Sequence, residues 1–204
     1  MFNPNIRQCV LFVVWCMNCL TVSADGLWLV GKPVIGVEIE QEKPASSAYS
    51  NHSITWTPSL VFTNQGIDRL DLLITAERST EADGSNLARS LGIRVKKILP
   101  LRDHWGMYVQ ALAGHLFAST ERFTYGYTDA AITYEQEALG FMAALRVQRG
   151  LDGTRAHDVN KIRLGPSIDL GEHHEVELRW ERAWMASTKR RSSDAVNMEY
   201  NHKF

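Results

Sequence analysis

Cysteine is missing from most of this chain. All three, Cys9, Cys16 and Cys19, fall within the first two dozen of the 204 residues. The remainder therefore has no disulfide framework to lean on. Long apolar runs are missing as well: nothing after residue 25 reaches the roughly 20 consecutive apolar residues that a helix needs to cross a bilayer. A membrane-spanning role would have to be filled by strands closed into a barrel, the other structure that satisfies its own backbone in lipid. No segment after residue 25 sustains a helical period. Charge of one sign is not in excess either. There are 22 Lys and Arg against 23 Asp and Glu, and setting aside Arg7 leaves 21 basic residues and a net charge near −2. That balance gives no electrostatic footprint for nucleic acid.

What is there begins with a leader. Residues 1–24 have a single basic residue (Arg7), an apolar stretch from Cys9 to Leu20, and the small-residue run Val22-Ser23-Ala24. This is the layout of a secretory signal peptide. Cys19 has no lipobox around it, which argues against lipidation. Residues 25–204 then read as one domain.

That domain alternates. Ile35, Val37 and Ile39 interleave with Gly36, Glu38 and Glu40. Ile54, Trp56, Pro58, Leu60 and Phe62 interleave with Ser53, Thr55, Thr57 and Ser59. Leu70, Leu72, Ile74 and Ala76 oppose Arg69, Asp71, Thr75 and Glu77, and Leu91, Ile93 and Val95 oppose Gly92, Arg94 and Lys96. Met107, Val109, Ala111 and Ala113 face away from Tyr108, Gln110 and Gly114. Leu139 to Val147, Ile162 to Leu170 and Val176 to Trp180 repeat the pattern. A period of two is the mark of a strand with unlike faces. Two positions disturb it. Pro58 donates no hydrogen bond, so a bulge or local strain is expected there. Phe123, Tyr125 and Tyr127 suggest an interfacial aromatic girdle, with the alternation slipping near Asp129. Asn64-Gln65-Gly66, Arg102 to His104, Glu135 to Glu137 and Glu172 to His174 are short connections. Longer polar ones lie between them.

The charged faces decide the class. On a solvated sheet surface, small residues such as Gly36, Gly92, Gly114, Gly140 and Gly165 gain little. In a narrow interior they leave room for long ionic side chains arriving from across the barrel. The inward set is Glu38, Glu40, Glu42, Asp71, Glu77, Asp169, Glu177, Glu181 and Glu199 against Arg69, Arg94, Lys96, Arg146, Lys161, Arg163, Arg179 and Lys203. Glu38, Glu40, Asp71, Glu77, Arg94, Lys96, Arg146, Arg163, Asp169, Glu177, Arg179, Glu181 and Glu199 are the candidate pore-lining residues. The expected fold class is all-β: a single antiparallel transmembrane β-barrel of about ten strands, with eight to twelve the permitted range. The opposite arrangement, a secreted or periplasmic β-protein with its apolar rows packed inside, is the alternative.

The final segment alternates Val196, Met198, Tyr200, His202 and Phe204 with Asn197, Glu199, Asn201 and Lys203. It resembles the closing strand of bacterial outer-membrane β-barrels, which ends in Phe with an aromatic four residues earlier, here Phe204 and Tyr200. The resemblance implies export to a Gram-negative outer membrane. It also implies recognition of the last strand by the barrel-assembly machinery and contact with outer-membrane lipids and lipopolysaccharide. From Leu87 onward the hairpin rhythm is similar to that of small outer-membrane barrels, including the oligogalacturonate-specific monomeric porins. That family implies twelve strands and a strongly basic lumen; this chain offers ten and a balanced one.

The functional expectation is a small porin or channel passing ions or a small solute. A non-conducting structural or surface-binding barrel is the alternative, and a rim hydrolase a third reading. His115, Ser119, His157 and Asp158 supply pieces for a hydrolase, but no nucleophile sits at a recognisable spacing from a base. Glu172, His173, His174 and Glu175 resemble a solvated turn more than a metal site. No metal or other cofactor is implied. Lys189-Arg190-Arg191 is a basic run suited to lipid phosphates.

Overall fold

A computed structural model describes residues 29–64, 67–81, 84–118, 121–153 and 157–204. The expected leader at 1–24, the expected turn at Gln65-Gly66, Asp83 and Ser119 lie outside these residues. Ten strands follow one another along the chain: β1 (Leu29–Pro44), β2 (Asn51–Asn64), β3 (Ile67–Glu81), β4 (Gly84–Arg102), β5 (Trp105–Ala118), β6 (Arg122–Gln136), β7 (Leu139–Gly150), β8 (Val159–Asp169), β9 (His174–Met185) and β10 (Arg191–Lys203). Each pairs antiparallel with its sequence neighbours. β1 pairs with β10 from Val34↔Lys203 to Pro44↔Ser193, so the sheet closes and leaves no edge.

Closure follows from the sequence pattern. Along every strand but β6 the apolar row turns outward: Ile39, Trp56, Ile74, Leu91, Leu145, Leu178 and Met198 are among the large hydrophobic side chains left about half exposed. The residues between them are buried or half-buried. A water-soluble protein does not present a continuous apolar surface of this kind. A hydrocarbon-facing barrel requires one, at strand lengths of roughly 9–11 residues across the bilayer. These strands run from 11 to 19 residues, so they reach past the apolar band at both ends.

The end of the barrel that carries the last residues of β10 has the tight connections. Two-residue turns join β4 to β5 and β6 to β7, and Asp103 and Glu137 open them in the left-handed backbone region at φ 51° and 53°. The opposite end carries the longer links at 45–50, 151–158 and 186–190.

Two expectations are corrected. Pro58 causes no bulge. Trp56↔Ala76 and Ser59↔Leu73 keep one register across β2 and β3, with the pairing merely interrupted between them. The missing donor opens a gap rather than a slip, because Pro58 points outward and its backbone is still paired to Ile35. The irregularities fall near strand ends instead, at Val30/Pro33, Phe62/Asn64, Pro100/Arg102 and Arg191/Ser193. The second correction concerns β6. Its alternation does not slip at Asp129. Phe123, Tyr125, Tyr127, Asp129 and Ala131 form one inward row, so these aromatics fill the interior and do not form a girdle. Outward aromatics near the β10 terminus include Trp105, Tyr134, Phe141 and Tyr200, with the Trp105 and Tyr134 rings 5.0 Å apart.

Candidate functional site: an ion-paired belt inside the barrel

The inward row of β6 brings Asp129 to the centre of the barrel wall, where its side chain has no solvent exposure. A bare carboxylate there would be prohibitive, so it is matched on every side. Arg146 on β7 donates from Nε to Oδ1 at 2.7 Å and from Nη2 to Oδ2 at 2.9 Å. Gln110 on β5 donates to Oδ2 at 2.6 Å. Arg163 reaches from β8 across β7 to the same oxygen at 3.0 Å.

Arg163 carries the network onward. Its Nε donates to Glu181 Oε1 on β9 at 3.0 Å, and Lys161 meets the other oxygen at 3.3 Å. Arg179, two residues before Glu181 and on the same face, is the second hub. It lies 3.1 Å from Glu177, 3.1 Å from Glu38 on β1, 2.6 Å from Glu199 on β10 and 3.8 Å from Glu181. Asn201 donates to Glu199 at 3.1 Å. The belt is thus continuous from β5 through β10 to β1. On β3 and β4 a separate cluster sets Asp71, also without exposure, between Arg69 at 2.6 Å and Arg94 at 2.5 Å.

Ring faces absorb some of the remaining positive charge. The Arg146 guanidinium lies 3.8 Å from the Tyr127 ring centroid and the Lys96 ammonium 4.2 Å from that of Tyr108. Glycine makes room for the rings. A Cβ on Gly114 would stand 3.1 Å from the Tyr125 ring, its register partner on β6. On Gly165 a Cβ would run into the Leu178 carbonyl of β9, so no other residue fits there without backbone movement.

Charge is sorted around the wall. β1, β9 and β10 bear Glu38, Glu40, Glu177, Glu181 and Glu199 around the single guanidinium of Arg179. β4 and β7 bear Arg94, Lys96 and Arg146 with no inward carboxylate, while on β3 Arg69 is offset by Asp71 and Glu77. Glu40, Glu42 and Glu77, with Asn51, Ser53 and Ser79, line a cavity of about 80 Å³ toward the loop-bearing end. Among the expected inner residues, Asp169 differs: it is exposed at the end of β8, where the strand leaves the barrel wall. Asp129 is the hub that sequence reasoning missed.

Of the pieces set out for a hydrolase, Ser119 lies outside the described residues and the other three have partners of their own. His115 faces outward, its Nδ1 2.8 Å from Thr124 Oγ1 and its ring 4.4 Å from that of Phe117. His157 stacks 3.5 Å from the inward Phe123 ring and pairs with Glu121 at 3.4 Å. Asp158 accepts from the Gly150 amide at 2.9 Å. Among the described residues no group of three or more His, Cys, Asp or Glu is arranged to hold a metal ion.

No protein-family model matches the chain, and no curated protein is similar to it in sequence. Solved structures do match in shape. The β domain of the Bordetella autotransporter BrkA superposes with a TM-score of 0.54 at 12% identity, over 85% of this chain and 99% of that one. An outer membrane channel from Pseudomonas putida F1 gives 0.56 at 12% identity, over 89% and 98%. The KdgM porin in complex with disordered oligogalacturonate is a looser match, 0.45 at 8% identity over 84% and 99%, too distant to speak for a solute. The ten-stranded closed antiparallel barrel described above therefore has the fold of the small outer-membrane β-barrels.

Proposed function

We propose that this protein is an outer-membrane barrel whose lumen is closed at mid-height by its own ion pairs, and that it works through its surface. The outward apolar band supports the compartment. The observation that carries the closure is the complete burial of Asp71 and Asp129 inside the barrel, together with Arg163, Arg179 and Glu181 at only a few per cent exposure. Ten strands fit this reading. Eight give an interior just wide enough for side chains to fill, and 16–18 leave a wide aqueous channel, so ten lie near the narrow limit. The long links at 45–50, 151–158 and 186–190 then face outward, and the tight turns face the periplasm.

A second reading has its own support. The acidic wall on β1, β9 and β10 opposes the basic positions on β4 and β7, and the cavity beside Glu40, Glu42 and Glu77 opens from the loop-bearing end. Walls of opposite sign order ions in a constriction. On that reading Glu38, Glu40, Glu77, Arg94, Lys96 and their neighbours line a narrow ion route. Planar-bilayer recording of refolded protein in molar KCl separates the two. The closed barrel gives no current steps in the wild type and gains them in Arg179→Ala, which removes the larger hub. Steps of uniform size from the wild type would replace the closed reading with the channel.

A further inference from the structure

The inner face is balanced in charge; the outer face is not. At the loop-bearing end, Lys43 on β1, Arg182 on β9 and Arg191 on β10 all stand on outward positions around one carboxylate, Asp194. Lys43 and Asp194 are register partners. Arg182 lies 2.7 Å and Arg191 3.2 Å from Asp194, with 39% and 52% of their side chains exposed. Arg182 also lies 5.1 Å from the Trp180 ring, just above the outward apolar row of Trp180 and Leu178. Two strands round, Arg78 on β3 and Arg89 on β4 are likewise outward and exposed. At the opposite end the outward cations are matched, Lys97 by Asp68 at 3.4 Å and Arg102 by Asp103 at 3.7 Å, and the turns add the exposed carboxylates Glu137 and Glu172.

The positive excess is therefore confined to one end and to the outer surface, at the height where hydrocarbon gives way to headgroups. Exposed guanidiniums over a tryptophan, directly above an apolar band, are matched in charge and depth by phosphate groups attached to acyl chains. We infer that Lys43, Arg182 and Arg191 form a docking site for the phosphorylated headgroup of an outer-leaflet glycolipid, with Arg78 and Arg89 a second sector of the same collar. Three cations around one carboxylate leave a net charge of about +2, enough to take one phosphate monoester. The lipid's acyl chains lie along Leu178, Val196 and Met198, and Trp180 marks the boundary between the two. This rests on the orientation proposed above, with the loop-bearing end outward.

The test uses the full barrel refolded in neutral detergent. Binding is titrated with bisphosphorylated lipid A, with the same lipid A after dephosphorylation, and with inorganic phosphate. The phosphorylated lipid binds, and affinity falls by about fivefold per cation removed, so Lys43→Ser/Arg182→Ser/Arg191→Ser weakens it on the order of a hundredfold. The barrel's heat-modifiable gel shift is retained, because these side chains lie outside the belt. Equal binding of dephosphorylated lipid A, an unchanged affinity in the triple variant, or equally tight binding of inorganic phosphate each overturns the site. Orientation is read separately: Ser187→Cys, in the exposed 186–190 link, reacts with a membrane-impermeant maleimide on intact cells if that end faces out. Failure to label there contradicts the orientation while leaving the titration to judge the site by itself.

Discussion

Asp129→Asn is the sharpest perturbation of the belt, because it changes one charge and almost no volume. The native carboxylate takes two hydrogen bonds from Arg146, one from Arg163 and one from Gln110, all between 2.6 and 3.0 Å, in a site without exposure. An asparagine can set its carbonyl oxygen where Oδ2 stood and keep Arg163, Gln110 and Arg146 Nη2. Its NH₂ group then faces Arg146 Nε, donor against donor, and two buried cations lose their counter-charge. Breaking a buried pair from one side costs about 3–5 kcal/mol. The Tyr127 ring beneath Arg146 and the Glu181 contact of Arg163 soften this, so the expected loss is about 3 kcal/mol. Urea unfolding of the barrel in lipid vesicles, followed by tryptophan fluorescence and by the gel shift of the folded form, measures it. Arg146→Met in the same background removes the orphaned cation. It is expected to restore part of the stability, with a coupling in the range of roughly 0.5–3 kcal/mol for residues in one network. A single-variant loss below about 1 kcal/mol, the level of an exposed pair, or strict additivity in the double variant, would refute the belt as a buried, mutually dependent network.

Two further outcomes follow from the same geometry. Gly165→Ala places a methyl against the Leu178 carbonyl and abolishes the heat-modifiable folded band. Gly36→Ala meets only the Asn201 side-chain oxygen at 2.9 Å, which can swing away, and leaves the band in place. Leu145→Arg, on the outward row of β7 at 51% exposure, destabilises the barrel in vesicles by about 2–4 kcal/mol if that position lies near mid-bilayer; a loss near zero would mean that the row does not meet lipid.

Most of the architecture was legible because a closed sheet obeys a two-residue period, and the period survives wherever outward and inward residues differ in chemistry. β7 shows this best: Leu139, Phe141, Ala143, Leu145 and Val147 lie outside, and Gly140, Met142, Ala144, Arg146 and Gln148 inside, as the alternation requires. β6 failed because its inner row is aromatic and its outer row, Thr124, Gly126, Thr128 and Ala130, is small or polar in the first half. Hydrophobicity there points the wrong way. The signal that could have corrected it was parity alone, since Asp129 shares its spacing with Tyr127 and Ala131. Interior aromatics become acceptable only when Gly114 lies opposite Tyr125, a cross-strand fact that no single segment contains. Which carboxylate meets which guanidinium depends in the same way on register between strands, so alternation specified the ionic members of the belt other than Asp129 but neither its links nor its hubs. Asp169 kept its parity but not its burial, because alternation says nothing about where a strand ends.

The central claim is that the greasy row meets hydrocarbon while the ionic row is shut inside. Single cysteines placed from residue 139 to residue 150 of β7, each spin-labelled in lipid vesicles, report it directly through collision with oxygen dissolved in the bilayer. The account predicts strong collision at 141, 143, 145 and 147 and little at 142, 144, 146 and 148. The reverse alternation, or no alternation at all, would contradict it.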